Sequence, residues 1–186
     1  MNIIAGERKG TVIIAPPGMD TRPTQAKIKG SLFNMIMGYV EQSRVLDLFS
    51  GSGSLALEAL SRGAASAVCV DSGRESVKAI QQNIQKLRYA ERCRIIAADY
   101  RQAVEQLTLQ KQTFDLVFMD PPYRMHVIAE CCSLLAKNRL LSDGAMLVLE
   151  HAVGTLEMID EHFQLYKQRV YGDTEIHYYL YQAGDS

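Results

Sequence analysis

The chain of 186 residues is long enough for one domain with a complete core, and its apolar fraction of 47% argues against intrinsic disorder. No apolar run approaches the ~20 residues of a membrane-spanning helix, and the N-terminus lacks the long apolar segment of a signal peptide. The four cysteines and four histidines show no metal-binding spacing, so we expect reduced core thiols, a cytoplasmic protein and no metal site.

Charge is unevenly distributed along the chain, although the net charge is only −1. Residues 1–44 carry six Lys and Arg against three Asp and Glu, whereas residues 45–186 carry fourteen against eighteen. A basic N-terminal segment on an acidic body predicts that a polyanionic partner meets the N-terminal part first. A solvated basic surface without a partner is the alternative interpretation.

The N-terminal segment is predicted to form a short hairpin followed by a helix. Residues 3–5 and 11–14 are apolar runs on either side of a turn at residues 7–10. Thr24 is expected to cap a helix that runs to about Val40, because apolar residues follow it at helical spacing.

From residue 44 onward, short apolar runs alternate with amphipathic stretches, which predicts a parallel sheet covered by helices on both faces. The last two predicted strands follow each other across Gly172-Asp173, so they are expected to form an antiparallel hairpin at the sheet edge. Strands are predicted at residues 45–49, 67–70, 94–97, 114–119, 145–150, 164–171 and 175–181, and helices at 54–62, 74–88, 101–107 and 127–135.

A glycine-containing loop at residues 47–53 follows the first of these strands and opens a helix. Glycines let the backbone pass close to a ligand, and the helix N-terminus offers free N–H groups. Gly51, Gly53 and Ala56 satisfy the loose dinucleotide pattern, and Asp71 lies 20 residues after Gly51. The glycines alone therefore do not separate NAD from other adenosine cofactors.

Acids at the ends of three successive predicted strands favour one cofactor. Asp47 would repel a pyrophosphate, but it suits the ammonium and sulfonium of S-adenosylmethionine. Asp71 is placed to bind the ribose hydroxyls and Asp99 to accept a bond from the adenine amino group. Each acid alone is equally consistent with a helix cap. The candidate cofactor-binding residues are Asp47, Phe49, Ser50, Gly51, Gly53, Asp71, Ser72, Asp99 and Tyr100.

The tetrapeptide Asp120-Pro121-Pro122-Tyr123 ends the apolar run at residues 114–119. Two prolines stop the strand and remove two N–H donors, which leaves a carboxylate, free carbonyls and an aromatic ring. That set suits a planar NH2 group on a planar base, although a strand-ending turn is the plainer interpretation. We predict that Asp120 and the Pro121 carbonyl accept bonds from the amine, that Pro122 stiffens the turn, and that Tyr123 stacks on the base.

Together these residues resemble the RsmD-type 16S ribosomal RNA guanine-N2 methyltransferases over nearly the whole chain. The motifs that carry the resemblance lie at residues 3–6, 9–10, 22–24, 32–34, 47–53, 57–64, 120–123 and 171–174. The resemblance implies a class I S-adenosylmethionine-dependent methyltransferase fold, which is Rossmann-like with seven mostly parallel strands and an antiparallel C-terminal hairpin. It also implies S-adenosylmethionine as donor and the N2 of one guanine in the small ribosomal subunit as acceptor.

Two regions are expected on this basis, an RNA-facing extension at residues 1–43 and a methyltransferase domain at residues 44–186. The expected partner is 16S ribosomal RNA, as part of the small subunit or of an assembly intermediate. Basic and hydroxyl side chains of the extension are the candidate phosphate contacts. They are Arg8, Lys9, Arg22, Thr24, Lys27 and Lys29.

Three alternatives stay open from the sequence. The amine acceptor belongs to adenine or cytosine in DNA, or to a protein glutamine, because the four-residue motif suits all of them. An NAD-dependent oxidoreductase is a second alternative, against which Asp47 counts. A catalytically silent RNA-binding module is the third, and the intact Asp120 and Tyr123 disfavour it.

Overall fold

Helices and strands alternate along the chain in the computed structural model, which describes residues 1–18, 23–122 and 124–184. The helices are α1 (Pro23–Met35), α2 (Ser54–Ser61), α3 (Arg74–Leu87), α4 (Tyr100–Leu109) and α5 (Ile128–Lys137). The strands are β1 (Arg44–Leu48), β2 (Ser66–Val70), β3 (Cys93–Ile96), β4 (Phe114–Met119), β5 (Leu141–Ala152), β6 (Phe163–Tyr171) and β7 (Thr174–Tyr181).

These strands form one sheet in the spatial order β3-β2-β1-β4-β5-β7-β6. The first five pair in parallel, and β7 pairs antiparallel with both β5 and β6. The predicted fold class, a mostly parallel seven-stranded sheet with an antiparallel C-terminal hairpin, is confirmed. The connections reverse direction between β1 and β4, and ligands of open α/β sheets bind at such a switch point, at the carboxyl ends of the strands.

The core has two layers because side chains alternate between the faces of each strand. Phe118 and Val148 belong to the layer that also contains Phe33 of α1 and Leu57 of α2. Met119, one residue further along β4, belongs to the opposite layer with residues of α4 and α5. This alternation decides which strand-end side chains face α1.

The predicted N-terminal hairpin is present as a short antiparallel pair that lies along α2. The Ile3 N–H donates to the Thr11 carbonyl at 2.9 Å, and the Gly10 N–H donates to the Ile3 carbonyl at 2.8 Å. The fully buried Glu58 of α2 accepts hydrogen bonds from the N–H groups of Ile4 and Ala5 at 2.8 and 3.0 Å. The extension is therefore attached to the sheet domain through a buried carboxylate as well as through apolar contacts.

Two elements differ in length from the sequence prediction. The first helix ends at Met35 rather than near Val40, and a 3-10 turn follows at Met37–Tyr39, where Gly38 lowers helix propensity. Strand β5 continues to Ala152 because it pairs with β7 as far as Thr174, beyond the end of β4. None of the described helices is long and apolar enough to cross a membrane.

Candidate active site

Five acids form a row along the carboxyl edge of the sheet, one at each of the five parallel strands. In spatial order they are Asp99 after β3, Asp71 after β2, Asp47 near the end of β1, Asp120 after β4, and Glu150 in β5. The row crosses the switch point between β1 and β4. Sequence reasoning found the first four acids and missed Glu150.

The three acids of the central strands share one cleft beneath α1. The side chains of Asp47, Asp120 and Glu150 line this cleft together with residues of α1 and the N-terminal Met1. Alternation explains the shared direction, because Asp120 and Glu150 each follow by two residues a side chain, Phe118 or Val148, that packs on the α1 face.

A second cleft extends the first one toward β3. Its lining includes Asp71, Ser72, Asp99 and Tyr100, which are predicted cofactor residues, together with Pro121 and Pro122. Both clefts are lined by Phe49, Gly51 and Asp120, so they form one continuous groove from β3 to β5. We call the side that contains Asp99, Asp71 and Asp47 the β3–β1 half, and the side that contains Asp120 and Glu150 the β4–β5 half.

The loop between β1 and α2 is fixed by its own hydrogen bonds. The Ser50 hydroxyl donates to the Asp47 carbonyl at 2.6 Å and accepts from the Val70 N–H at 3.0 Å. Phe49 and Gly51 have φ values of 65° and 57°, a conformation that brings the backbone around the end of β1. Ser50 therefore shapes the loop through buried bonds of its hydroxyl.

The two predicted glycines of this loop have different surroundings. Gly51 lines both clefts, and its N–H donates to the Asp71 carboxylate at 2.8 Å. Gly53 is the N-cap of α2 with a φ of 78°, and a side chain there would meet Leu57 and Ile80 at 3.3 to 3.5 Å. Gly53 thus serves the start of α2 and its packing on α3, and its predicted contact with the cofactor stays a prediction.

The acids of the β3–β1 half are bonded to the backbone. Asp71 accepts from the N–H groups of Gly51 and Gly73, both at 2.8 Å. Asp99 caps α4, accepting from the first-turn N–H groups at 2.8 and 3.1 Å, so the cap interpretation is correct for this residue although it also lines the groove. Asp47 accepts from the Ala56 N–H at 3.3 Å. These carboxylates are held in position before any ligand arrives.

The acids of the β4–β5 half differ in this respect. Within the part of the chain that the structure describes, neither Asp120 nor Glu150 forms a hydrogen bond or an ion pair. Solvent reaches Asp120 through the groove, although neighbouring protein atoms crowd its carboxyl and limit its hydration. Their acceptor capacity is consequently available to a ligand.

Crowding of the central acids disfavours their charged forms. Burial raises the pKa of Asp47 to about 8, with a contribution from the charge of Asp71 and opposed by the Ala56 N–H. Burial, with the nearby charges of Glu150 and Asp47, raises the pKa of Asp120 well above its usual range, and burial also raises the pKa of Glu150. A cationic ligand would relieve this repulsion.

The aromatic floor of the β3–β1 half is built by Phe49 and Tyr100, whose ring centroids lie 5.6 Å apart. The Tyr100 hydroxyl donates to Glu130 of α5 at 2.9 Å. At the other side, the Pro122 carbonyl accepts from the Met125 N–H at 2.8 Å, which closes a turn after the two prolines. Tyr123 lies outside the described residues, so its stacking role stays a prediction.

Lys29 was predicted as a surface phosphate contact, and this prediction is wrong. Its side chain is buried, and its ammonium donates to the Asn2 carbonyl at 2.8 Å and to the Ser54 hydroxyl at 2.9 Å. It also lies 3.3 Å from the Glu58 carboxylate, and burial lowers its pKa. Lys29 therefore joins α1, α2 and the N-terminal segment while it lines the groove.

The other candidate phosphate contacts lie at two separate places. Lys27 is exposed on α1, close to the groove. Arg8 donates its backbone N–H to the Ser61 hydroxyl at the far end of α2 and holds its guanidinium 5.8 Å from the Tyr89 ring centroid. Lys9 is exposed beside it. Arg22 and the side chain of Thr24 lie outside the described residues.

A histidine cluster next to Glu150 was not foreseen from sequence spacing. His151 Nε2 and His177 Nδ1 are 2.8 Å apart, and Glu175 completes a group of side chains whose atoms are close enough to hold a metal ion. The pairing of β5 with β7 brings them together, which explains why spacing along the chain does not reveal them. In this structure the two facing nitrogens bond to each other.

Known proteins resemble this chain over nearly its whole length, including the residues of the groove. The family model described as conserved hypothetical protein 95 matches residues 1–180. The Ribosomal RNA small subunit methyltransferase D of Escherichia coli (strain K12) is 31% identical over 183 residues, 98% of this chain and 89% of that protein. The solved structure of Escherichia coli yhhF superposes with a TM-score of 0.87 at 30% identity and covers 98% of both chains. A Salinibacter ruber RNA methyltransferase in complex with S-adenosyl-L-homocysteine, only 14% identical, has the same fold with a TM-score of 0.65 over 90% of this chain and 97% of its own.

Proposed function

The chain belongs to the family described as conserved hypothetical protein 95, and we propose that it transfers a methyl group from S-adenosylmethionine to the exocyclic N2 of one guanine in 16S ribosomal RNA. The name of the Escherichia coli relative, a small-subunit ribosomal RNA methyltransferase, supports the reaction and the RNA class. The observation that carries the proposal is the continuous groove, in which three backbone-bonded acids lead to two acids that have no bonding partner among the described residues.

The β3–β1 half fits the proposed cofactor by the chemistry of its donors and acceptors. Asp47 offers a buried carboxyl to the amino-acid ammonium, and burial raises its pKa to about 8, so a neighbouring cation would stabilise its charged form. Asp71 faces the groove at the end of β2, where it suits the ribose hydroxyls. Asp99, Phe49 and Tyr100 enclose the position left for adenine. When bound, S-adenosylmethionine supplies an electrophilic methyl group on a sulfonium.

The β4–β5 half positions the amine. Asp120 and the Pro121 carbonyl accept the two hydrogens of the guanine N2, which directs the nitrogen lone pair toward the cofactor half. The Asp120 carboxylate also stabilises the positive charge that develops on the nitrogen during transfer. Tyr123 stacks on the flipped base, and flipping costs a few kcal/mol in a duplex but less in a loop.

Residues 1–43 form the RNA-facing extension in this proposal, and residues 44–186 form the catalytic domain. Lys27 contacts phosphates near the flipped nucleotide, with Arg22 and Thr24 assigned to the same strand of RNA. Arg8 and Lys9 lie at the other end of α2, so they contact phosphates about 12 Å or more from the reacting base. These contacts are expected to act through salt-dependent affinity.

The decisive experiment measures methyl transfer from labelled S-adenosylmethionine to small ribosomal subunits from cells that lack this protein. Naked 16S RNA, DNA and a protein mixture are tested in parallel, and Asp120→Ala is the control. Label on a guanine N2 of the subunit RNA, absent with the variant, is the expected result. Label on adenine, cytosine or glutamine, or no transfer despite tight cofactor binding, would reject the proposal.

A further inference from the structure

Glu150 is the acid of the groove to which the proposed reaction assigns no role. Glu150 lies in β5, which pairs with β4. Met119 of β4 pairs with Leu149 of β5, so the next residues, Asp120 and Glu150, lie side by side. Both side chains face the groove beneath α1, and neither has a bonding partner among the described residues. Glu150 lies beyond Asp120 when the row is followed from the cofactor half, which places it on the side of the base.

The neighbours of an amine distinguish the possible acceptors. In guanine the N2 amine lies next to a ring N1–H, which is a donor. In adenine and cytosine the amine lies next to a ring nitrogen that carries only a lone pair, and in glutamine it lies next to a carbonyl oxygen. Among these acceptors of the methyl group, only guanine has two adjacent hydrogen-bond donors, the N2 amine and N1–H. Two adjacent carboxylates provide the matching hydrogen-bond acceptors.

We propose that Glu150 accepts the N1–H of the target base while Asp120 accepts its amine, so that Glu150 selects guanine over every acceptor with a lone pair at that position. The inference rests on the proposed function and adds the group that fixes the base. With adenine or cytosine, the Glu150 carboxylate would meet the lone pair of adenine N1 or cytosine N3. The two groups repel each other, and no hydrogen bond forms because neither carries a hydrogen. Specificity of this kind is large where the unpaired groups are buried.

The charge of the groove agrees with this role. Burial raises the pKa of Glu150, and burial together with the neighbouring Glu150 charge raises the pKa of Asp120. The cofactor sulfonium and the donor edge of guanine would both favour the ionised forms of Asp120 and Glu150. A base with a lone pair at this position would bind only if Glu150 kept a proton.

The test varies the enzyme and the base together. Once the labelled position is mapped, 16S RNA is rebuilt with guanine, 2-aminopurine or 2,6-diaminopurine there and assembled into subunits. Both analogues keep the N2 amine and lack the N1 hydrogen. Wild-type protein is compared with Glu150→Ala, Glu150→Gln and the matched control Glu157→Gln, which removes the same charge from an exposed side chain after β5. S-adenosylmethionine affinity and circular dichroism are measured for each protein.

Wild-type protein and Glu157→Gln are expected to prefer guanine to both analogues by about 100-fold or more in kcat/KM. Glu150→Ala should lose about 10- to 100-fold on guanine and little on the analogues, and Glu150→Gln should favour the analogues relative to guanine because its amide donates to N1. Cofactor affinity should stay within about threefold of wild type.

An unchanged guanine-to-analogue ratio in both folded Glu150 variants would overturn the inference while the proposed function stands. Failure of wild-type protein to methylate guanine N2 at all would overturn the proposed function instead. Equal wild-type rates on guanine and both analogues would also reject a role for the N1 hydrogen.

Discussion

The acids in the two halves of the groove all lie at the carboxyl ends of parallel strands, but they differ in whether they accept hydrogen bonds from the backbone. Asp99, Asp71 and Asp47 follow or end parallel strands and accept backbone N–H groups at 2.8 to 3.3 Å. Asp120 and Glu150 occupy equivalent positions on the next two strands and have no such bonds among the described residues. The difference indicates that the acids of the β3–β1 half are fixed in position without a ligand, whereas the acceptors of the β4–β5 half are left for the substrate.

The prolines explain part of this difference. A strand end followed by ordinary residues offers N–H groups that a preceding carboxylate can accept, as Asp99 does at the start of α4. Pro122 has no N–H, so Asp120 cannot accept the bond that Asp99 accepts from the second residue after it, Arg101. The turn closes through the Pro122 carbonyl and the Met125 N–H instead.

Replacing one carboxylate by an amide in each half should affect kcat in the β4–β5 half and cofactor affinity in the β3–β1 half. Asp120→Asn is expected to lower kcat by about 100- to 1,000-fold with little change in S-adenosylmethionine affinity, because it removes charge that acts in the transition state. Asp71→Asn should weaken cofactor binding about tenfold or more, with a smaller effect on kcat at saturation. Methylation kinetics and calorimetric cofactor titration provide the two readouts. Equal losses of both quantities in either variant would contradict the division of the groove.

Removing the charge of Lys29 tests how α1 is held over the β4–β5 half. Lys29→Met should reduce the free energy of unfolding by about 3 kcal/mol, because it leaves a buried carboxylate with one bonding partner fewer. Lys27→Met, on the exposed side of the same helix, should change stability by less than about 0.5 kcal/mol. Urea unfolding of both variants makes the comparison. A Lys29 variant as stable as wild type would reject its structural role.

Asp47 should make cofactor affinity depend on pH. With a pKa of about 8, Asp47 is mostly protonated at neutral pH before the cofactor binds, whereas the cofactor ammonium favours the carboxylate. Affinity should therefore rise by up to about tenfold per pH unit as pH increases toward 8, and then level off. Isothermal titration from pH 6 to 9 in buffers of different ionisation enthalpy measures the affinity and the released proton. Asp47→Asn should bind more weakly and with a flatter profile.

Rising pH should increase cofactor affinity through Asp47 but decrease the stability of the fold. A carboxyl whose pKa is raised on folding binds its proton more tightly in the folded state, so stability falls as pH rises from about 4 to about 8. Asp47→Asn removes this loss. Its melting temperature should exceed that of wild type at pH 8 by at least about 2–4 °C, and the difference should vanish near pH 4. A variant that melts lower than wild type at pH 8 would contradict this account.

The smallest expected effect belongs to the exposed cations. Lys27→Gln should weaken binding to the RNA substrate a few-fold and reduce the slope of log K against log salt by about 1, with kcat unchanged at saturation. Lys9→Gln should likewise weaken RNA binding a few-fold and reduce the salt slope, because Lys9 is also assigned a phosphate contact. Binding to labelled subunits at several salt concentrations measures both slopes. Unchanged slopes would assign these lysines to solubility.

Most of the fold was predictable because its signals are local. Apolar runs, glycines after helices and an adjoining pair of C-terminal strands are read from a few neighbouring residues, and each predicted strand is present within a few residues of its expected bounds. The strand-end rule also found four of the five acids. Glu150 was missed although it ends the strand predicted at residues 145–150, and in the structure β5 continues two residues further to Ala152.

The misassignment of Lys29 has a similar origin. A lysine on a predicted surface helix is normally exposed, and nothing in the neighbouring residues indicates that Glu58 of α2 and the Asn2 carbonyl surround its ammonium. The histidine pair was missed for the same reason, since His151 and His177 meet only through the pairing of β5 with β7.

The sequence by itself thus determined the class of fold, the order of its elements, the loop that opens α2 and the chemistry at four strand ends. These properties depend on periodicity, turn residues and side-chain type, which act over a few residues. Only the tertiary structure decided which carboxylates accept backbone bonds, which lysine is buried, and that Glu150 stands beside Asp120. Those outcomes depend on register and burial between segments far apart in the chain, such as Ile4 and Glu58, which are 54 residues apart, and no local pattern encodes such pairings.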